Sequence, residues 1–342
     1  MSPHPTLSPE GRGSKSRTGN CRYILCMTPD PPKRDPANLL IHVGLHKTGT
    51  TWLQDRVFVN NALGFDSPWG PMASPAVAEF MLVDPLSFNA NATLERLGPD
   101  VDASRSKGFI PVLSHEGLSS RPVRGTYYAP TVAKRLHEVF PNARIVIGIR
   151  EQNGMILSLY RQFVRNGGVY SLKQFIGTGN EPAGWSPLCR LEFFHYDRFV
   201  RCYQDLFGVD NVLVQPLELL RDDEPRYLKR LLDFAGSTGS PDQLGKAGVS
   251  NAGWGGQTLE VFRFFSRFAV RNPLGPKQPW SVRNAQRVCY KIDKIVPKSR
   301  HTKIEKSWKA YIKERTKGRY EQSNAELVRM TGLDLASMGY AL

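Results

Sequence analysis

Hydrophobic and polar positions along this chain switch repeatedly between two patterns. Short, nearly unbroken apolar runs suit strands buried on both faces. They alternate with stretches in which apolar residues recur every three to four positions, as on a helix with one buried side. Runs of the first kind lie at 38–43, 108–114, 143–149 and 212–215. Helical spacing follows in Trp52, Leu53 and Val57, in Val132, Leu136, Val139 and Phe140, and in Met155, Ile156, Leu159, Phe163 and Val164. It follows again over 191–206 and over 227–234, the last capped by Gly236. Gly167-Gly168 ends the third of these helices, and Pro111 stands near the beginning of its strand because proline has no donor for a central ladder. Between 67 and 106 the pattern is patchy, with helical fragments at 76–82 and 92–97. From Gln257 onward the chain reads as helices, at 259–268, at 282–296 (Val282, Ala285, Val288, Ile292, Ile295, Val296) and at 320–330 before Gly332. Alternating strands and helices predict an α/β protein, a parallel sheet covered on both sides. Ligands of such sheets sit beyond the strand C-termini.

The stretch NLLIHVGLHKTGTTWLQDRVF, residues 38–58, is where strand turns into helix most abruptly. A tight loop at such a junction aims backbone N–H groups and a helix N-terminus at one point, which suits a phosphate-like anion. A nucleotide kinase would carry GxxxxGK[ST] there. Gly44 and Gly49 have that spacing, but Thr50 occupies the lysine position and the lysine is inside the loop, as Lys47.

Composition narrows the class. Of 342 residues, 40% are hydrophobic and 23% charged, as in ordinary globular protein. Residues 1–37 are rich in Pro, Ser, Gly, Lys and Arg without periodicity, which predicts a disordered extension before one domain at 38–342, with Met27 a candidate start. No apolar run approaches span length and no export signal is legible, so a cytoplasmic location is expected. Five scattered cysteines, Cys21, Cys26, Cys189, Cys202 and Cys289, indicate neither a disulfide framework nor a metal site. The net charge of +15 is uneven: Val261 to Tyr320 holds 17 Lys and Arg against Asp293, Glu305 and Glu314. That field attracts anions, whether a nucleotide, an acidic acceptor or an anionic membrane surface, although most such side chains belong to solvated helix faces.

The spelling KTGTTW resembles the 5′-phosphosulfate loop of sulfotransferases that use 3′-phosphoadenosine 5′-phosphosulfate (PAPS). RIVIGIREQNGMILSLYRQFVRNGG is similar to that family's second cofactor motif, an arginine at a strand end and a serine eight residues on, here Arg150 and Ser158. The tract HYDRFVRCYQDLFGVDNVLVQPLELLRDD, the stretch from Asn251 and the ending GLDLASMGYAL resemble the bacterial glycan-type members. The resemblance implies a P-loop-NTPase-like three-layer α/β/α fold with a central parallel sheet and helical C-terminal additions. It also implies PAPS as cosubstrate without a metal, and an acceptor hydroxyl or amine on a saccharide or glycolipid. His46, Lys47, Thr48, Gly49, Thr50 and Thr51 would bind the phosphosulfate, and Arg150 and Ser158 the 3′-phosphate. Lys317-Gly318-Arg319 resembles the basic segment that closes the cofactor site in animal members of the family. Arginine offers a planar fork to phosphate and a hydroxyl adds a short donor.

Sulfuryl transfer needs an in-line acceptor oxygen, a base for its proton and cationic donors toward the leaving phosphate. Lys47 and the loop N–H groups, with the Thr50 and Thr51 hydroxyls, would supply those donors, Lys47 as the catalytic cation. Two adjacent residues at a strand end, His115 and Glu116, are candidates for the base. Histidine has an unperturbed pKa of about 6.5, nearer working pH than the roughly 4.3 of Glu. Neighbours leaving a strand point to opposite sides, so one of the two faces the cleft. The SHEGLS context resembles glutamate-bearing members and favours Glu116. His42, inside the strand, reads as a core residue, and Trp52 as packing under the loop. Two rival readings are a Mg-ATP kinase and a non-catalytic protein whose basic helices grip nucleic acid or membrane; neither accounts for Lys47, Arg150 and Ser158 together.

Overall fold

The computed structural model describes residues 39–245, 253–269 and 280–342, and the side chains of 269 and 280–283 are not part of the description. The expected extension at 1–37, Met27, Cys21, Cys26, Asn251 and the side chain of Val282 therefore lie outside it. The described residues all belong to one compact unit.

The described strands make one five-stranded sheet, parallel throughout, in the order β2-β3-β1-β4-β5. They are β1 (Leu40–His42), β2 (Phe65–Asp66), β3 (Ile110–Ser114), β4 (Arg144–Ile149) and β5 (Val212–Pro216). Alternate side chains of each strand enter different cores. Ile41, Leu113, Ile145 and Ile147 join one cluster, and Leu40, Val112 and Val146 the other. Both faces of the sheet are thus covered, which is why the strands read as unbroken apolar runs rather than as alternation. Burying each isoleucine fully contributes roughly 1.5–3 kcal/mol against leaving it in water.

One face carries α1 (Thr50–Trp52, continuing as a π-helical turn, Leu53–Val57), α8 (Leu217–Asp222) and α9 (Glu224–Ala235). The other carries α2 (Ser74–Met81), α3 (Ala90–Ser106), α4 (Ala129–Val139), α5 (Gln152–Arg165), α6 (Leu172–Ile176) and α7 (Tyr196–Phe207). Against that side also pack α10 (Gly256–Ala269), α11 (Trp280–Asp293), α12 (Lys298–Thr316) and α13 (Glu321–Thr331). Among the described residues no helix is long and apolar enough to cross a membrane.

Several elements differ from the periodic reading. The stretch 191–206 is two pieces: a 3₁₀ turn, Leu191–Phe194, then α7 after a break at His195. Helix α3 extends well past the fragment at 92–97 and runs through Gly98-Pro99; Thr93, Leu97 and Val101, all buried, hold it together across the lost N–H. Strand β2 and helix α8 are too short to show a period. Helix α12 was illegible because its 19 residues bury only Trp308, Ile312 and Thr316, and most of the remainder are polar or charged.

Candidate active site

Strand order decides where the chemistry gathers. The ends of β1, β3, β4 and β5 open into one cleft of about 690 Å³, walled by the loop at 46–52, by Glu116, by Arg150 with one face of α5, and by α8 with the start of α9.

After β1 the backbone stays on β4 for a few residues, with Val43 N–H donating to Val146 O (3.0 Å) and Leu45 N–H to Gly148 O (3.1 Å). It then reverses through two left-handed residues, Lys47 (φ 68°) and Gly49 (φ 89°). A non-glycine residue in that region costs of order 1 kcal/mol and marks a constrained loop. Gly49 answers to a second constraint, since a Cβ there would lie 2.9 Å from the side chain of Leu220 on α8. Thr48 turns inward and its hydroxyl donates to Leu45 O (2.6 Å), staying off the cleft wall. Gly148 leaves room for it, because a Cβ there would stand 2.7 Å from Thr48 Oγ1. The Gln54 amide, buried on the π-helical turn, donates to Ser114 O (3.0 Å) and fixes α1 to the end of β3.

Thr50 opens α1. It is buried, it lines the cleft, and its hydroxyl has no hydrogen-bond partner. The first turn of a helix also leaves its N–H groups without intrahelical acceptors. A buried hydroxyl left unpaired costs about 1–3 kcal/mol unless something enters to accept from it. Phosphate or sulfuryl oxygen at this point fits the donor set.

Lys47 is exposed at the mouth, yet its enclosure by the cleft walls, followed by the nearby charges of Arg165 and Arg150, holds its pKa below the usual lysine value. His46 lines the same wall, buried, with Nε2 2.9 Å from Ser120 O, so this nitrogen is the N–H donor. Burial holds its pKa down. Ser120 is itself left-handed (φ 100°), and its hydroxyl accepts from the N–H groups of Tyr128 and Ala129 (both 3.0 Å) at the start of α4.

His115 and Glu116 separate as alternation at a strand end requires. Glu116 lines the cleft, whereas His115 does not; its Nδ1 accepts from Gly117 N–H (2.8 Å) and caps a 3₁₀ turn. His42 lies in the core beneath the loop, Nδ1 2.8 Å from Ser114 Oγ, and burial lowers its pKa to about 4. Trp52 packs edge-on against Tyr227, ring centroids 6.3 Å apart, and also borders the cleft.

Arg150 follows β4, its carbonyl held by the Tyr196 hydroxyl (2.7 Å). Glu151 then caps α5, accepting from the N–H groups of Asn153 and Gly154, both at 2.7 Å. Gly154 makes space for the Arg150 guanidinium: a Cβ there would be 3.3 Å from Nε. Ser158 is one turn further on the same face, which accounts for the eight-residue spacing. Desolvation and the neighbouring Arg221 push the Arg150 pKa down. Behind it Glu218 accepts from Glu151 N–H (3.1 Å) and from the Tyr340 hydroxyl (3.1 Å), so the C-terminal segment braces this corner.

Arg161, Gln162, Arg165, Arg221 and Glu224 also line the cleft and were missed by motif. The first three could have been found, since they stand three, four and seven residues after Ser158, on one helical face. Arg161 is spoken for, donating to Trp254 O (2.7 Å) and pairing with Glu305 (3.4 Å). Lys317 and Gly318 do not line the cleft. Thr316 reaches Asn153 at the start of α5 (2.7 Å), but the next two residues turn into solvent, Gly318 at φ 69°.

No protein-family model matches the chain. No curated protein matches it either. Among solved structures it is similar to a sulfotransferase from Alicyclobacillus acidocaldarius, with 18% identity over 69% of this chain and 93% of that one, at a TM-score of 0.43. The sulfotransferase domain of the Synechococcus PCC 7002 olefin synthase gives 11%, 75%, 96% and 0.35 for the same quantities. The sulfotransferase domain from the curacin biosynthetic pathway gives 11%, 74%, 97% and 0.41. Scores this low say nothing about what the cleft binds.

Proposed function

We propose that the chain is a PAPS-dependent sulfotransferase acting on a hydroxyl or amine of a saccharide or glycolipid. The observation that carries this reading is the meeting, in one cleft, of the Lys47 loop with its partnerless buried Thr50 hydroxyl and the Arg150–Ser158 face of α5. Loop N–H groups, Lys47 and Thr50 would hold the phosphosulfate, and Arg150 and Ser158 the 3′-phosphate. Mutually repelling cations enclosed around a cavity are stabilised by a polyanion, and Lys47 and Arg150 are such cations.

In the transfer, the acceptor oxygen or nitrogen bonds to sulfur as the bond from sulfur to the phosphate oxygen breaks. Lys47 and the loop donors neutralise the charge left on that phosphate, and Glu116 takes the acceptor's proton. The products are the sulfated acceptor and adenosine 3′,5′-bisphosphate. His46, its Nε2–H given to Ser120, presents its other nitrogen as an acceptor and so orients rather than neutralises.

Calorimetric titration with adenosine 3′,5′-bisphosphate without Mg²⁺, beside AMP and ATP, tests the reading. Tight binding of the bisphosphate with AMP much weaker is the expected result; no binding, or a preference for Mg-ATP, overturns it.

A further inference from the structure

On the far side of α10 from its core contacts lies a surface the cleft does not explain. Leu259, Phe262 and Ser266 of this helix are buried. Phe264, Phe265 and Phe268 occupy a separate stripe and are 51%, 58% and 78% exposed. Their rings touch one another, Phe264 being 5.5 Å from Phe265 and 5.6 Å from Phe268 between centroids. Single exposed apolar residues need no explanation, but three phenyl rings in contact on one helix face do. Tyr290 and Ile295, on α11 and just after it, are likewise exposed.

Exposed cations stand on the same helix and on the two helices packed against it. Arg267 stands between Phe265 and Phe268 in the sequence, α11 packs beside α10 with Arg287 and Lys291 exposed and Lys294 exposed just after it, and Lys298, Arg300 and Lys303 begin α12. The Lys294 ammonium lies 4.8 Å over the Tyr290 ring. Nearby acids are already engaged: Glu260 with Arg263, Asp293 with Gly255 N–H, and Glu305 with Arg161. The exposed side chains of α10 and α11 named here are therefore apolar or positive.

We infer that the α10–α11 face docks on an anionic lipid bilayer, with the three phenylalanines entering the headgroup–acyl boundary and the surrounding lysines and arginines meeting lipid phosphates and carboxylates. Aromatic residues beside flexible cationic stems are the composition of interfacial helices. A nucleic acid would satisfy the cations but gives touching phenyl rings no apolar layer to enter. This inference stands apart from the sulfotransferase reading and is tested without it.

The full chain is floated with vesicles of phosphatidylcholine alone and of phosphatidylcholine with phosphatidylserine. The expected result is binding to the anionic vesicles that weakens with salt. A Phe264→Ser, Phe265→Ser, Phe268→Ser variant should lose partitioning by at least about tenfold. Lys291→Ala with Lys294→Ala should lose about fivefold per charge on anionic vesicles only. These substitutions are on the surface, and an unchanged thermal midpoint shows that the fold is intact. Residues 1–38 are the same in every protein compared, so their charge cancels. Absence of vesicle binding overturns the inference, as does binding that the phenylalanine variant leaves intact. Self-association that this variant abolishes, or RNA binding in place of lipid binding, overturns it as well.

Discussion

Positive charge is gathered in two regions, the cleft and the α10–α12 surface, and the two hold it differently. In the cleft, Lys47 and Arg150 sit among other cations with their water partly stripped away, and both pKa values are driven down. On α12, Lys303, Lys306 and Lys309 project into solvent, where counter-ions screen them within about 10 Å. Equal charges thus carry unequal consequences. Enclosed ones raise the energy of the empty site and reward an anion at a defined place, while the exposed ones set a general field.

The largest test of this contrast is affinity. Lys47→Ala and Arg150→Ala should each weaken adenosine 3′,5′-bisphosphate binding by about 3 kcal/mol, roughly a hundredfold, as read by calorimetry. Thermal unfolding of the empty Arg150→Ala protein should show an unchanged or higher midpoint, because a repelling cation has gone. Stability loss equal to the binding loss would mean that Arg150 is structural.

Next in size is a pH effect beneath the loop. His42 is held neutral by burial, with Glu116 opposing and His115 reinforcing that effect, and its pKa falls from 6.5 to about 4. A folded-state value below the unfolded one means that the unfolded chain binds the extra proton, so stability is full above pH 6.5 and drains as pH falls toward 4. The shift corresponds to about 3 kcal/mol by pH 4. Urea unfolding of His42→Gln, set against the unsubstituted chain at both ends of that window, should lack this part of the acid sensitivity.

Smaller again is the brace behind Arg150. Tyr340→Phe removes the hydroxyl bonded to Glu218 and should cost about 1–2 kcal/mol of stability, with a severalfold loss of bisphosphate affinity and no effect on AMP. Least of all, Lys306→Ala with Lys309→Ala should change bisphosphate affinity by less than about 0.5 kcal/mol. A loss as large as that of Lys47→Ala would show that the field, not the contacts, binds the nucleotide, and would erase the distinction between the two regions.

The sheet was legible because β1, β3, β4 and β5 are each short apolar runs whose burial on both faces leaves no other pattern. Helix α12 and strand β2 were not, one because only three of its 19 residues are buried and give no apolar stripe, the other because two residues show no period. In the cleft, Lys47 and Thr50 stood out in the spacing of one strand–helix unit, and Arg150 and Ser158 in the resemblance of another to a known cofactor motif. Arg221 and Glu224 belong to the wall after β5, more than 50 residues along the chain from Ser158, and no local pattern ties the two together.

By itself, then, the sequence determined the local devices: a glycine able to turn left-handed at 49, a hydroxyl at 50 opening a helix, and an arginine at a strand end with a serine two helical turns later. These depend on neighbours within a dozen residues and on backbone geometry that those neighbours impose. Tertiary structure decided which devices face one another. The order β2-β3-β1-β4-β5 places the ends of β4 and β3 on either side of β1, bringing Arg150 and Glu116 to the Lys47 loop. Strand alternation and the cap on Gly117 turned His115 away from the cleft, and the turn after α12 carried Lys317 and Gly318 out to solvent. Those choices rest on hydrogen bonds and packing between segments far apart in the chain, which is why only the folded molecule displays them.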